Sequence, residues 1–128
     1  MLKKITVAVA AALVASLAHA SSPYDGAYAC TGFAPQISFG YTYDMVFLTK
    51  ADGVTAASSV LAPVPTAVQL FGYSFGTLNG NVYTGTGGLT GQTGSVTFNA
   101  NGTLSNPNAH IMINGVTYAA TENCVKIF

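Results

Sequence analysis

The chain has 128 residues, of which half are hydrophobic and only 6% charged; it carries four lysines and four carboxylates but no arginine and no tryptophan. So few basic groups exclude a nucleic-acid partner, because such binding rests on several Lys and Arg neutralising phosphates. The absence of arginine also removes the usual bidentate grip on acidic ligands.

Lys3 and Lys4 precede an apolar run from Ile5 to Leu17, which is followed by Ala18-His19-Ala20. This is the form of a secretory signal, with cleavage expected after Ala20. The run is too short for a membrane-spanning helix, which needs about 20 apolar residues. Cys30 lies too far downstream to serve as a lipid-anchoring cysteine. Residues 21–128 are then one exported domain, periplasmic or secreted, in which Lys50 and Lys126 face Asp25, Asp44, Asp52 and Glu122 for a net charge of −2.

The two cysteines, Cys30 and Cys124, sit near the ends of that domain. In an oxidising compartment an even count predicts a disulfide between them. Neither has a neighbouring Lys, Arg or His or a Cys-x-x-Cys spacing, so the bond is expected to be structural rather than reactive.

Past residue 20 there is no sustained helical periodicity, and strand signals recur instead. Asp52-Gly53, Asn79-Gly80, Asn101-Gly102 and Asn114-Gly115 each separate two runs able to extend, and such pairs supply the positive φ of tight hairpin turns. Strands are predicted at about 24–33, 38–50, 54–62, 68–78, 81–88, 93–99, 103–105, 109–113 and 116–127, the last with a kink at Glu122-Asn123. Pro63 and Pro65 make 61–66 a connection or an edge. Gly85 to Gly94 reads as a bulged turn or a loop. Such a meander avoids exposed edges by closing, which predicts an all-β, up-and-down antiparallel barrel of about eight strands. A two-sheet β-sandwich is the alternative. In the barrel, the cysteines would clasp the seam between first and last strands.

Two aromatic stripes carry the candidate binding site. Phe39, Tyr41, Tyr43, Met45 and Phe47 share one strand face, and Phe71, Tyr73 and Phe75 share another. Such faces fill cores, yet eight-stranded barrels also hold single small ligands, and buried tyrosine hydroxyls need partners. Phe39, Tyr41, Tyr43, Phe71, Tyr73 and Phe75 are therefore the expected ligand-binding residues, with a flat apolar or sugar-like molecule lying against Tyr41, Tyr43 and Tyr73.

Catalysis has little to work with. His110 is the one histidine beyond the signal, it has no Gly-x-Ser-x-Gly elbow to serve, and it reads as a surface or capping residue. The carboxylates show no metal-ligand spacing. Asp25 and Glu122 lie near the two chain ends, where a closing seam would bring a glycosidase-like pair together, but Asp25-Gly26 reads as a strand-entry turn. No catalytic residue, metal or cofactor is assigned, and the domain is not expected to be an enzyme. In architecture alone, the predicted barrel resembles avidin-like and lipocalin-like binders and bacterial periplasmic inhibitor barrels. That resemblance rests on strand count, and the tryptophans of avidin-type proteins are missing.

The expected function is a non-enzymatic barrel binding a small apolar, aromatic or sugar-like ligand or a partner protein. Two alternatives stand beside it. A low-charge, Gly/Thr/Asn-rich β chain suits a structural or adhesive surface subunit assembling through strands. The terminal Phe128 points to an outer-membrane barrel, against which stand Lys126 at an alternating position and strands shorter than the roughly 9–11 residues needed to span.

Overall fold

In the computed structural model, the described residues are 22–61 and 68–128. The expected cleavage after Ala20 lies outside them, as does all of the proline-containing connection except Leu61. Nine strands follow in chain order: β1 Gly26–Ala34, β2 Phe39–Thr49, β3 Thr55–Val60, β4 Val68–Gln69, β5 Tyr73–Asn79, β6 Val82–Gly87, β7 Thr93–Phe98, β8 Thr103–Ile113 and β9 Val116–Lys126. The one described helix is the short 3-10 turn Pro35–Ile37, between β1 and β2.

Eight strands form a ring in sequence order, β1-β2-β3-β5-β6-β7-β8-β9, and every neighbouring pair is antiparallel. β9 returns to β1 over six residue pairs, from Tyr28↔Lys126 to Phe33↔Thr121, and closes the barrel. A single closed sheet replaces the sandwich alternative. Cys30 and Cys124 stand directly opposite each other on the closing pair and are disulfide-bonded across a sequence separation of 94, as the seam position requires.

The Asx-Gly pairs lie at the hairpins. Asn114 and Gly115 both take positive φ, 50° and 78°, between the paired Ile113 and Val116, which is a two-residue hairpin loop. Asp52 accepts the amides of Val54 and Thr55, both at 2.8 Å, and so fixes the entry to β3. In the β5–β6 hairpin the loop falls one residue later than the motif, at Gly80-Asn81, because Asn79 still pairs with Val82.

Three expectations change. The strand over 68–78 is broken: β4 pairs with the end of β8 at Val68↔Ile113 and Gln69↔Met112, then Leu70 to Gly72 lead to β5, where Tyr73 begins pairing with β3. The pieces at 103–105 and 109–113 are one strand, β8. The irregularity expected at Glu122-Asn123 lies opposite, on β8, where the register shifts between Asn106 and Ala109. Pro107 falls inside that shift and has no N–H to give a ladder.

The shift opens the wall. β7 meets β8 only at Thr97↔Ser105 and Phe98↔Leu104, so the upper halves of the two strands part. Here "upper" denotes the end bearing the 3-10 turn and the Asn114-Gly115 loop.

The lower half of the interior is filled mainly by aromatic rings. Phe47 is fully buried, with its ring 4.7 Å from that of Phe98 and 5.0 Å from that of Tyr83. Tyr24 stacks on Phe98 from below at 4.7 Å, and Tyr28 and Leu104 complete the layer. Burying such rings supplies most of the hydrophobic stabilisation available to a chain of this size.

Candidate functional site

β2 places Tyr41, Tyr43, Met45 and Phe47 in the interior by simple alternation, and all four are buried. β9 does the same with Ala120, Glu122 and Cys124. Glu122 is thereby turned into the barrel and is 4% exposed. Tyr41 donates its hydroxyl to Glu122 Oε1 at 2.7 Å, and Tyr43 donates to Oε2.

Gly32 makes this arrangement possible. It lies opposite Glu122 on β1, and a Cβ there would sit 2.2 Å from Cζ of Tyr41, so the ring lies flat against bare backbone. The rings of Tyr41 and Tyr43 are near-parallel, with centroids 6.2 Å apart, and Phe39 continues the stack beyond Tyr41.

A second buried polar group faces this one from β3, β5 and β6. Ser58 and Ser74 share a hydrogen bond of 2.6 Å, and Ser74 and Tyr83 share one of 2.7 Å. Gly85 plays the part of Gly32 for Tyr83, whose hydroxyl lies 2.3 Å from where a Cβ would be.

Between the two groups is a chamber of about 80 Å³. Tyr43, Met45, Phe71, Tyr83, Glu122 and the two serines wall it, while Gln92, Gly94, Asn106, Asn108 and His110 border it where β7 and β8 part. Phe71, in the segment leading to β5, presents its ring edge-on to Tyr43 at 6.1 Å.

Electrostatically the chamber is unusual for so uncharged a protein. Burial pushes the Glu122 carboxyl above the ordinary glutamate range, and the two phenol hydrogen bonds pull only partly the other way. Burial, and then the adjacent Glu122 charge, raise the hydroxyls of Tyr41 and Tyr43, and burial raises Tyr83. These phenols therefore stay neutral.

The expected ligand residues are divided. Tyr41 and Tyr43 are brought together inside, with Phe71 at the chamber wall, whereas Phe39 is half-buried and stacks beyond the chamber. Tyr73 and Phe75 are a correction. They are 47% and 67% exposed on the outside of β5, because Ser74 takes the inward position, so Tyr73 cannot share an interior ligand with Tyr41 and Tyr43. Nor does Tyr41 line the chamber itself; its hydroxyl donates to Glu122.

Glu122 and His110 are the residues sequence reading missed. Glu122 was legible by parity, since Cys124 must face its partner in a closed seam and the residue two before it shares that face. His110 was expected on the surface but is half-buried and borders the chamber, because the β8 bulge opens the wall at its level. Asp25 does not join Glu122. Its carboxylate accepts the Thr49 amide at 3.0 Å and the Thr49 hydroxyl at 2.8 Å, at the lower end.

A second hollow, of about 290 Å³, lies at that lower end among Pro23, Tyr24, Phe98, Asn99 and Lys126. Although larger, it is a weaker candidate: its one charged group, the Lys126 ammonium, already donates to the Pro23 carbonyl at 2.8 Å. Among the described residues, no group of three or more His, Cys, Asp or Glu is placed to hold a metal.

No family model and no curated protein sequence matches the chain. Among solved structures, the chain is similar to a redesigned beta barrel, with a TM-score of 0.54 and 12% identity over 85% of this chain and 96% of that one. At that identity the likeness shows the barrel fold alone.

Proposed function

We propose that this protein is an exported, non-enzymatic binding barrel that takes one small ligand into the upper chamber, reaching it through the parted seam between β7 and β8. The observation that carries the reading is the interior's division into two halves. The lower half is a dense aromatic core, while the upper half keeps a carboxyl, two phenols and two serines around open space, where apolar side chains would have packed more cheaply. The chamber at rest is about half the size of the roughly 150 Å³ cavity that accepts benzene, so the ligand, or the part of it that enters, is small.

A non-catalytic role is supported by the hydrogen bonds of Glu122, which tie its two oxygens to tyrosines of the neighbouring wall. Export is supported by the Cys30–Cys124 disulfide, since such bonds persist in oxidising compartments. A soluble rather than outer-membrane barrel is supported by the exterior of β6 and β7. Thr84 pairs with Ser95 and Thr86 with Thr93 through their hydroxyls, both at 2.9 Å, where a membrane barrel shows an apolar band. Among the described residues no helix is long and apolar enough to cross a membrane.

Native mass spectrometry of the protein from its own source, compared before and after denaturation, tests this reading. A small molecule released on unfolding is the expected result. Absence of any such mass, together with no thermal stabilisation by a library of small fragments, overturns it.

One observation favours a second reading, self-association through the outside of the barrel. Leu48, Ala57 and Phe75 stand side by side across β2, β3 and β5, and Leu48 and Phe75 are 47% and 67% exposed. Sedimentation that shifts with concentration, and reverts in Phe75→Ser, would establish it; a monomer at all concentrations removes it.

A further inference from the structure

We propose that the upper chamber is a site for small organic ammonium ions, held by the Glu122 carboxylate inside a wall of aromatic rings. This rests on the reading of the chamber as the ligand site and names the chemistry it selects. Three observations lead to it.

The first is a buried carboxyl with no described lysine or arginine beside it. The hydrogen bonds Glu122 receives come from two neutral phenols. The chain has no arginine, and the two described lysines belong to the other end of the barrel: Lys50 follows the end of β2, and Lys126 is bonded to Pro23. Isolated carboxylates are costly to bury, and the cost falls when a cation enters beside them. An anionic ligand would raise it, and a neutral one would leave it in place.

The second is spare acceptor capacity. An ionised carboxylate offers about four lone-pair sites, and Tyr41 and Tyr43 use two. The tyrosines hold the group in position without saturating it, and a protonated amine has a hydrogen to donate.

The third is the remaining lining. Tyr43, Phe71 and Tyr83 present rings to the chamber, and Met45 adds a polarisable thioether. Aromatic rings attract desolvated cations through their quadrupoles, and rings combined with a carboxylate suit methylated ammonium groups. The volume of about 80 Å³ is smaller than a benzene-accepting cavity, so the ammonium group that enters is a small one.

The titratable groups around the site also define how binding depends on acidity. They are Glu122 itself, Tyr41 and Tyr43 from β2, Tyr83 from β6 and His110 from β8; β1 contributes Gly32 opposite the carboxyl and no titratable group. The tyrosines remain neutral, so the dependence is carried by the Glu122 carboxyl, which burial holds above the ordinary glutamate range. Protonating Glu122 weakens cation binding, and His110→Gln keeps the imidazole out of the measurement.

The test uses the mature full-length protein and isothermal titration with trimethylammonium, tetramethylammonium, acetate and the neutral, similarly shaped tert-butanol. Trimethylammonium should bind at least about tenfold more tightly than tert-butanol. Glu122→Gln, checked for folding by circular dichroism, should remove that preference and leave tert-butanol unaffected. In His110→Gln, trimethylammonium affinity should fall with pH through a range lying above ordinary glutamate values, while tert-butanol affinity stays level. Equal affinity for the cation and the alcohol, or an unchanged preference in Glu122→Gln, overturns the inference while leaving a ligand chamber standing. If Glu122→Gln does not fold, a flat pH profile in His110→Gln overturns it instead. Binding of none of the four overturns it as well; the broader chamber reading is judged separately, by the mass released from the native protein.

Discussion

Removing the Cys30–Cys124 bond, by replacing both cysteines with alanine, should cost this protein a large part of its stability. The bond closes a loop with a sequence separation of 94, nearly the whole folded domain. In the chain-entropy treatment the lost constraint, −2.1 − 1.5R ln n, comes to about 4.7 kcal/mol at 25 °C. A domain of roughly 100 residues has an unfolding entropy near 0.2 kcal/mol per degree, so the midpoint should fall by about 20 °C. That is a large part of the roughly 5–15 kcal/mol typical of a folded domain. Urea denaturation of the double variant and of the oxidised wild type measures the loss, and the slope with urea should steepen because the uncrosslinked unfolded chain exposes more surface. A loss below about 1.5 kcal/mol with an unchanged slope would refute the reasoning, since it would mean that the unfolded chain already holds its ends together.

The inward and outward positions of the two aromatic stripes make opposite predictions: Phe47→Ala, fully buried, should cost about 3–5 kcal/mol, whereas Phe75→Ala, 67% exposed, should change urea stability by no more than about 0.5 kcal/mol. Gly32→Ala places a Cβ 2.2 Å from the Tyr41 ring, so the ring must leave and give up Glu122; a loss of about 1–3 kcal/mol is expected, with an altered near-ultraviolet tyrosine signal as the check. Burial raises the Glu122 carboxyl, so the native state takes its proton more readily than the unfolded chain does. This group's contribution is therefore greatest below the ordinary glutamate value and declines as pH climbs from there to the raised native one. Urea midpoints across that window should show the decline in wild type and its loss in Glu122→Gln, and equal slopes would contradict it. Asp52 acts the other way at lower pH, because its bonds to Thr55 and Val54 hold its carboxyl below the usual range, and Asp52→Asn separates the two.

Much of the barrel was legible because local signals agreed. Asp52-Gly53, Asn101-Gly102 and Asn114-Gly115 mark hairpins that are formed, and the alternation from Phe39 to Phe47 needs no tertiary information to define an inward face. Cysteines near the chain ends and a meander imply each other, since a closing ring makes first and last strands neighbours. What was not legible depended on strands meeting from far away. Phe71, Tyr73 and Phe75 alternate as well as the first stripe does, but alternation defines two faces without saying which is inside. The small Ser74 is inward because Tyr83, coming from β6, fills the space and bonds to it. Likewise, nothing within Asn106-Pro107-Asn108 shows that the wall opens there; the gap needs β7 to pair with β8 at Thr97 and Phe98 alone.

The place where alternation failed to name the inside is also where a site becomes possible. If β5 had turned Tyr73 and Phe75 inward, their rings would have filled the upper half as Phe47 and Phe98 fill the lower, and no chamber would remain. Ser74 and Ser58 inside, with Gly85 and Gly87 beside them, leave that volume empty and polar. Glu122 then faces space instead of an apolar ring, and only in that setting can a buried carboxyl stay hydrogen-bonded, half-used and within reach of a ligand. The proposed binding depends on which face of one strand is turned inward. Phe75→Ala should therefore leave trimethylammonium affinity unchanged, whereas Ser74→Leu, at the neighbouring inward position, should abolish it while the barrel still folds.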